Sequence, residues 1–106
     1  MLNIVCERTD NFIQQMPKTL RKEYGQFFTS KETARYMASL FNLPLQKQHI
    51  SILDAGAGSG ILSVALIERC SQCMNEDTLI HLTCYETDPH IQSLLKENLD
   101  LATERS

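Results

Sequence analysis

The sequence predicts an α/β fold in which helices precede two parallel strands, and three observations support this prediction. An apolar segment at residues 50–54 leads through a glycine-rich loop into an apolar helix that begins near residue 61. A second apolar segment, at residues 79–86, follows that helix. Two strands joined through a helix pair in parallel by a right-handed crossover. We therefore expect the first β-α-β-α half of a doubly wound sheet, preceded by helices.

Length and composition place the chain among ordinary small proteins. Its 106 residues fit one small domain, and it contains no apolar run long enough to cross a bilayer. The first 16 residues lack the apolar core of a secretion signal, so we expect a cytoplasmic protein without a membrane partner. Residues 1–50 carry a net positive charge and residues 51–106 a net negative one. The basic half could face phosphates or form a solvated helix surface.

The N-terminal region is predicted to be helical over residues 1–24, and Pro17 either interrupts it or starts a second short helix at its first position. Thr9 or Asp10 is expected to cap its first helix, because short polar side chains bond the free N–H groups of a first turn. Gly25 is expected to end the second helix.

A further helix is predicted over residues 30–42 and is expected to stop before Pro44. Thr29 and Glu32 have the spacing of a capping box at its start. Helical spacing places several apolar residues on or beside one face, namely Ala34, Met37, Ala38, Leu40 and Phe41.

The C-terminal part is predicted to alternate strand and helix. Strands are expected at residues 50–54 and 79–86, and helices at residues 61–70 and 89–102. Asp88, followed by a proline, is expected to cap the last helix. The first of these helices is apolar on most faces, which is typical of a helix packed between a sheet and other helices.

The glycine loop is the strongest candidate for a binding site. Residues 54–60 read D-A-G-A-G-S-G, and backbone N–H groups at a helix start are free to bond an anion. The dinucleotide fingerprint would need a glycine at the position of Ile61. Asp54, just before the first glycine, would repel a pyrophosphate and attract a cation. The alternative is a glycine-rich turn in an unrelated α/β protein.

Glu86, at the end of the second predicted strand, is the second candidate. In a nucleotide-binding α/β unit, an acid at this place accepts hydrogen bonds from the ribose hydroxyls. A carboxylate suits this role because it has two acceptor oxygens and no donor. The alternative is an ordinary solvent-facing acid, but the glycine loop upstream favours the binding role.

The cysteines are not predicted to form a metal or redox site. Cys70 and Cys73 form a C-x-x-C pattern, but a zinc site needs two more ligands. His81 and Cys84 are three residues apart on a predicted strand and so point to opposite faces. The two paired cysteines also fall at the end of a helix, where the dipole does not stabilise a thiolate. We expect reduced cysteines with structural roles.

Three segments in order resemble the adenine-N6-specific DNA methyltransferases whose cofactor region precedes their catalytic motif. They are G-Q-F-F-T at residues 25–29, D-A-G-A-G-S-G at 54–60 and Y-E-T-D-P at 85–89. That family includes type I modification subunits and type II restriction–modification enzymes. Its first segment usually continues with proline, which Ser30 replaces here, and serine also starts helices well.

The resemblance covers residues 21–95 and implies a domain organisation. Residues 1–44 would form an N-terminal helical segment that carries a cofactor-closing motif. Residues 45–106 would form the first half of a Rossmann-like domain that binds S-adenosylmethionine.

The resemblance also implies which residues contact the methionine end of S-adenosylmethionine. Phe27, Phe28 and Thr29 would close over it, with Thr29 bonding the carboxylate. Asp54 would face the ammonium group, directly or through water. Core packing under the loop is the alternative for the two phenylalanines, and both roles are compatible.

The remaining site residues implied by the resemblance belong to the two strand ends. Ala55, Gly56 and Gly58 would let the backbone approach the ligand. Glu86 would hold the ribose, and Thr87 would lie beside the adenine ring.

The family grips a flipped adenine with an Asn-Pro-Pro-aromatic motif, and these 106 residues contain no such run. The chain also stops about where a third strand would begin. We therefore expect a truncated piece without catalytic residues of its own, which is not active alone and meets DNA through the complete enzyme. Two parallel strands with unpaired edges also predict a second copy or another chain that covers them.

Two other functions stay open. The chain could be a non-catalytic cofactor-binding fragment or a partner chain. It could also belong to a methyltransferase for RNA, protein or a small molecule, because those classes share the glycine loop and the acid at Glu86. Only the G-Q-F-F-T segment favours DNA adenine over these other methyl acceptors.

Overall fold

The computed structural model describes residues 1–44, 48–74 and 77–105. In chain order its elements are α1 (Leu2–Gln14), α2 (Lys18–Phe27), α3 (Lys31–Ser39), β1 (His49–Ala55), α4 (Ile61–Cys73), β2 (Leu79–Tyr85) and α5 (Pro89–Arg105). This order confirms an α/β protein in which helices precede a β-α-β-α unit. None of the helices in these ranges combines the length and hydrophobicity needed to cross a bilayer.

The two strands form a parallel sheet, as predicted. β1 pairs with β2 in a continuous register that runs from His49 opposite Leu79 to Ala55 opposite Tyr85. The turn after β1 stays attached to β2, because the N–H groups of Gly56 and Ala57 both donate to the Tyr85 carbonyl at 2.8 Å. The carboxyl ends of the strands therefore meet at one edge, where the glycine loop begins.

Helix α4 is the centre of the hydrophobic core. It is buried on nearly every side, through Ile61, Ser63, Val64, Ala65, Leu66, Ile67 and Cys70. The other elements contribute Leu2 and Val5 of α1, Ala34 and Ala38 of α3, Ala102 of α5, and the partly buried Ile52, Ile80 and Leu82 of the sheet. The predicted packing of this helix between the sheet and other helices is confirmed.

The first helix begins ahead of the predicted cap at Thr9 or Asp10. α1 starts at Leu2, so neither Thr9 nor Asp10 caps it. Thr9 instead lies inside the helix, 2% exposed, with its hydroxyl 2.8 Å from the Val5 carbonyl. The burial of the Leu2, Val5 and Thr9 face against the rest of the protein outweighs the local capping preference.

The boundaries of the next two helices also differ from the prediction. α2 continues through Gly25 to Phe27, and Gly25 has no positive φ, so it does not end the helix. The N-cap of α3 is Ser30, whose Oγ accepts the N–H of Thr33 at 3.2 Å, and the capping box expected from Thr29 is wrong.

The apolar face predicted for α3 is buried only in part. Ala34 and Ala38 are buried, whereas Met37 is 38%, Leu40 66% and Phe41 50% exposed. Because these two residues are small, α3 lies close to α4. The contact between the two helices is therefore limited to the narrow face of α3 that contains the alanines. The predicted cap of α5 is confirmed, because Asp88 Oδ1 accepts the His90 N–H at 2.9 Å.

Candidate functional site at the glycine loop

The glycine loop has a backbone that requires glycine. The φ angles are +75° at Gly56, +59° at Gly58 and +90° at Gly60, and these are the only positive values among the described residues. Gly60 is the N-cap of α4, and its carbonyl accepts the first helical N–H, from Val64, at 2.9 Å. A side chain at such a φ is strained because its Cβ crowds the following carbonyl.

A small cavity of about 80 Å³ lies beside this loop. Its wall contains many of the predicted site residues, namely Phe27, Phe28, Thr29, Asp54, Gly56 and Gly58. The structure therefore brings the G-Q-F-F-T segment against the glycine loop. Small-molecule sites usually exceed roughly 300 Å³, so a nucleoside-sized ligand would displace part of this wall.

Two further cavities are larger than the one beside the loop. One of about 430 Å³, between α1 and α3, shares Phe28, Thr29 and Ile61 with the loop cavity. The other, about 590 Å³, lies near Leu79 at the opposite end of β2 and is lined mainly by aliphatic side chains. Its volume alone does not make it the better candidate, because it contains none of the loop residues.

The two phenylalanines have different surroundings. Phe28 is half-buried and meets Phe12 edge to face, with ring centroids 6.5 Å apart. Its ring also lies 3.8 Å from the position that a Cβ on Gly58 would occupy. Phe27 is 73% exposed and contacts Tyr24, also at 6.5 Å between centroids. Core packing under the loop thus describes Phe28 and not Phe27.

Glu86 joins the end of β2 to the glycine loop. Its Oε1 accepts the Gly58 N–H at 2.9 Å, and its Oε2 accepts the Asp88 N–H at 3.0 Å. Each carboxylate oxygen has a second lone pair for another donor. Thr87, the next residue, is exposed and lies outside the wall of the loop cavity.

Asp54 points to the first turn of α4. The Ser63 hydroxyl, 2% exposed, donates to Asp54 Oδ2 at 2.5 Å and lies 3.6 Å from the Cys84 sulfur. Burial is the main cause that raises the pKa of the Cys84 thiol, and the nearby Asp54 carboxylate adds to it. Cys84 is therefore a protonated thiol close to Asp54. The Ser63 hydroxyl orients one oxygen of the Asp54 carboxylate.

Two interactions near the site were not predicted. The Tyr24 hydroxyl donates to Asp88 Oδ2 at 2.9 Å and ties α2 to the start of α5. The second is a buried polar contact of Ser59, inside the loop, with Thr9 and Asn98. In the sequence, the Ser59 contact was indicated only by a polar residue at a core-facing position of α1 and of α5, such as Asn98 three residues after Leu95.

The four cysteines are free. Cys70 is buried and Cys73 exposed, and burial raises the pKa of the Cys70 thiol. Over residues 1–44, 48–74 and 77–105, no group of His, Cys, Asp and Glu side chains could hold a metal ion.

Comparison with known proteins identifies the family. The family model described as N-6 DNA Methylase matches residues 3–103. The Type II methyltransferase M.PstI from Providencia stuartii is 35% identical over 91 residues, which are 86% of this chain. The chain spans only 17% of the length of that relative. No solved structure matches significantly. Since the family model covers nearly the whole sequence, the chain belongs to the N-6 DNA methylase family.

Proposed function

We propose that this chain binds S-adenosylmethionine and supplies the cofactor-binding part of a DNA adenine-N6 methyltransferase. The observation that carries the proposal is the 2.9 Å hydrogen bond from the Gly58 N–H to Glu86, which joins the two strand ends into one site. In this proposal the β-α-β-α unit is the first half of a Rossmann-like domain. Family membership favours DNA adenine over RNA, protein or a small molecule as the methyl acceptor.

The residues present fit such a cofactor. A Cβ added to Gly56 would meet nothing within 4 Å, so the backbone there is open to close approach by a ligand. An acidic side chain lies at the end of each strand, Asp54 at β1 and Glu86 after β2. In the family these two places bind the methionine ammonium and the ribose. Asp54 and Glu86 would then each bind a donor group of the ligand.

The methionine end would be covered by the G-Q-F-F-T segment. Phe27 is the residue best placed to move, because it ends α2 and is 73% exposed. Phe28 and Thr29 would form the floor beside it. Asp54, with one oxygen held by Ser63, would present the other to the ammonium.

The nucleoside end would lie at the end of β2. Glu86 would accept the ribose hydroxyls through its second lone pairs while keeping its bonds to Gly58 and Asp88. The exposed Thr87 would lie beside the adenine ring. Ala55, the last residue of β1, would contribute its backbone.

Methyl transfer needs alignment and exclusion of water more than acid–base chemistry. When bound, S-adenosylmethionine supplies an electrophilic methyl group on a sulfonium centre. This chain would fix its orientation, while the target adenine would be held by residues that these 106 positions do not contain. We therefore propose that the chain is inactive alone and meets DNA through a complete enzyme or a second chain.

Calorimetric titration of S-adenosylmethionine into the 106-residue chain tests the proposal. We expect saturable binding that Glu86→Ala weakens at least about tenfold, because hydrogen bonds to a charged group are worth roughly 1.5–3 kcal/mol. Glu97→Ala, at an exposed acid of α5, is the matched control and should bind like the parent. A folded parent chain that shows no binding heat would refute the proposal.

A further inference from the structure

Ser59, between Gly58 and Gly60, is held by a buried polar network. Ser59, Thr9 and Asn98 are 1%, 2% and 0% exposed. Thr9 Oγ1 of α1 lies 2.9 Å from Ser59 Oγ, and Asn98 Nδ2 of α5 donates to the Ser59 carbonyl at 2.8 Å. The middle of the loop is therefore bonded through both its side chain and its backbone, to two helices distant in sequence.

The donors and acceptors of this network are mutually consistent. The Thr9 hydroxyl also lies 2.8 Å from the Val5 carbonyl, and its single proton can serve only one acceptor. If it serves Val5, the Ser59 hydroxyl donates to Thr9. Asn98 Oδ1 accepts from Arg8 Nη1 at 3.4 Å, which leaves the Asn98 amide nitrogen as donor to the loop. Among the described residues, no buried side-chain nitrogen or oxygen lacks a partner.

Both polar residues lie on helix faces that are otherwise apolar. Thr9 continues the face that contains Leu2 and Val5, and Asn98 follows the buried Leu94 and Leu95. Burying a polar group costs free energy unless it is hydrogen-bonded. We therefore expect Thr9 and Asn98 to contribute the fixed geometry of their hydrogen bonds more than stability. A hydrogen bond fixes angle and distance, whereas an apolar contact does not.

We propose that Thr9 and Asn98 are positioning residues that hold the glycine loop in its ligand-binding conformation. The inference rests on the proposed function for its affinity readout. Three glycines make the loop intrinsically flexible, and release of Ser59 lets it populate other conformations. The apparent affinity of a ligand falls in proportion to the fraction of chains in the competent conformation.

The first test measures S-adenosylmethionine affinity by calorimetry. Thr9→Val keeps the shape and removes the hydroxyl, and we expect about five- to tenfold weaker binding from the loss of one buried hydrogen bond. Thr9→Ser, which restores a hydroxyl, should stay within about twofold of the parent. Asn98→Leu should weaken binding further. The control is Thr103→Val, because Thr103 of α5 makes the same kind of bond to the Leu99 carbonyl at 2.9 Å on an exposed surface.

The second test needs no ligand and follows amide hydrogen exchange by NMR. In Thr9→Val we expect the N–H groups of Gly58 and Gly60, which donate to Glu86 and to the Ala57 carbonyl, to exchange at least about tenfold faster, while the amides of α4 are unchanged. Unchanged loop exchange would overturn the inference. So would a uniform acceleration in all elements, which is the signature of a merely structural role.

The two tests separate this inference from the proposed function. A parent chain that fails to bind S-adenosylmethionine, combined with faster loop exchange in Thr9→Val, refutes the proposed function and supports the positioning role. If the parent chain binds S-adenosylmethionine, and Thr9→Val and Asn98→Leu leave both the affinity and the loop exchange unchanged, the positioning role alone is refuted.

Discussion

Gly25 and Gly60 have opposite physical roles. Gly60 has φ +90°, and a Cβ there would approach Leu95 Cδ1 to 3.0 Å. Gly25 lies within α2 at an ordinary φ, with nothing within 4 Å of a Cβ. One position therefore needs glycine and the other only tolerates it.

This difference predicts stability changes of opposite sign. Gly60→Ala should lower the free energy of unfolding by about 1–2 kcal/mol, because an L residue in the left-handed region is strained. Gly25→Ala should raise it by about 0.5–1 kcal/mol, because alanine favours the helix and restricts the unfolded chain. Urea unfolding of both variants measures these values, and changes of the same sign would contradict the argument.

The Tyr24–Asp88 hydrogen bond predicts a pH dependence. Donation from Tyr24 is the largest cause that lowers the pKa of Asp88 from 3.8, and acceptance by Asp88 is the largest cause that raises the pKa of Tyr24 from 10.0. The stabilising effect on the folded state is therefore fully present between these two values. It is lost as pH falls below 3.8 through the lowered pKa of Asp88, and as pH rises above 10.0 through the raised pKa of Tyr24.

The variant Tyr24→Phe tests this dependence. At neutral pH its melting temperature should lie below that of the parent chain, and the gap should narrow at about pH 3 and above about pH 10. Tyr36→Phe, at an exposed tyrosine of α3, is the control. A gap that stays constant across this range would show that the hydrogen bond does not couple to folding.

At the scale of the elements, a side chain of α4 binds the C-terminal end of α3. Arg69 of α4 donates through Nη1 to the carbonyls of Ala38 and Phe41 at 2.5 and 2.6 Å. Ala38 lies in the last turn of α3 and Phe41 lies just beyond that helix, where the helix dipole favours a cation. One side chain thus joins two helices whose direct contact is made by small residues.

Removal of these hydrogen bonds should loosen the end of α3. We expect Arg69→Gln to lower the free energy of unfolding by about 1 kcal/mol, from the loss of charge-assisted hydrogen bonds at a half-exposed site. Lys96→Gln on the exposed side of α5 is the charge-matched control and should change little. Equal stabilities of the two variants in urea would argue that the carbonyls find other partners.

At the scale of the whole molecule, the residues that the structure describes cover the sheet on one face only. Ile52, Ile80 and Leu82 pack against the core, while Leu53 is 68% and Tyr85 62% exposed on the other face. A two-stranded sheet with an apolar outer face is a weak unit by itself. Association with a second copy or another chain, expected from the open strand edges, stays a prediction.

Sedimentation velocity over a range of concentrations tests this association. We expect the parent chain to associate as its concentration rises, and Leu53→Lys to reduce that association because it places a charge on the apolar face. Leu40→Lys, at the residue that follows α3 and has a similar exposure of 66%, is the matched control. A monomer with a sharp, concentration-independent thermal transition would contradict the expectation.

The predicted division between residues 1–44 and 45–106 also stays a prediction at this scale. The core cluster nevertheless contains residues from both sides of that boundary, such as Val5 and Ala34 together with Val64 and Ala102. The N-terminal helices therefore contribute to the same hydrophobic core as the β-α-β-α unit.

The sequence by itself determined the features that depend on neighbouring residues. The parallel strands, the Asp88 cap and the apolar α4 follow from hydrophobic patterns and capping chemistry, which act over a few residues. The glycines of the loop follow equally from a local backbone requirement. The loop glycines and Asp88 also lie in two of the three segments that carry the resemblance to the family.

Only the tertiary structure decided the features that depend on distant partners. Thr9 was predicted to cap a helix because its side chain is short and polar, yet its hydroxyl contacts Ser59, 50 residues away. Asn98 reaches the same serine across 39 residues, and Tyr24 reaches Asp88 across 64. Local patterns do not encode such pairs, because they exist only after the hydrophobic faces of α1, α4 and α5 have been packed together.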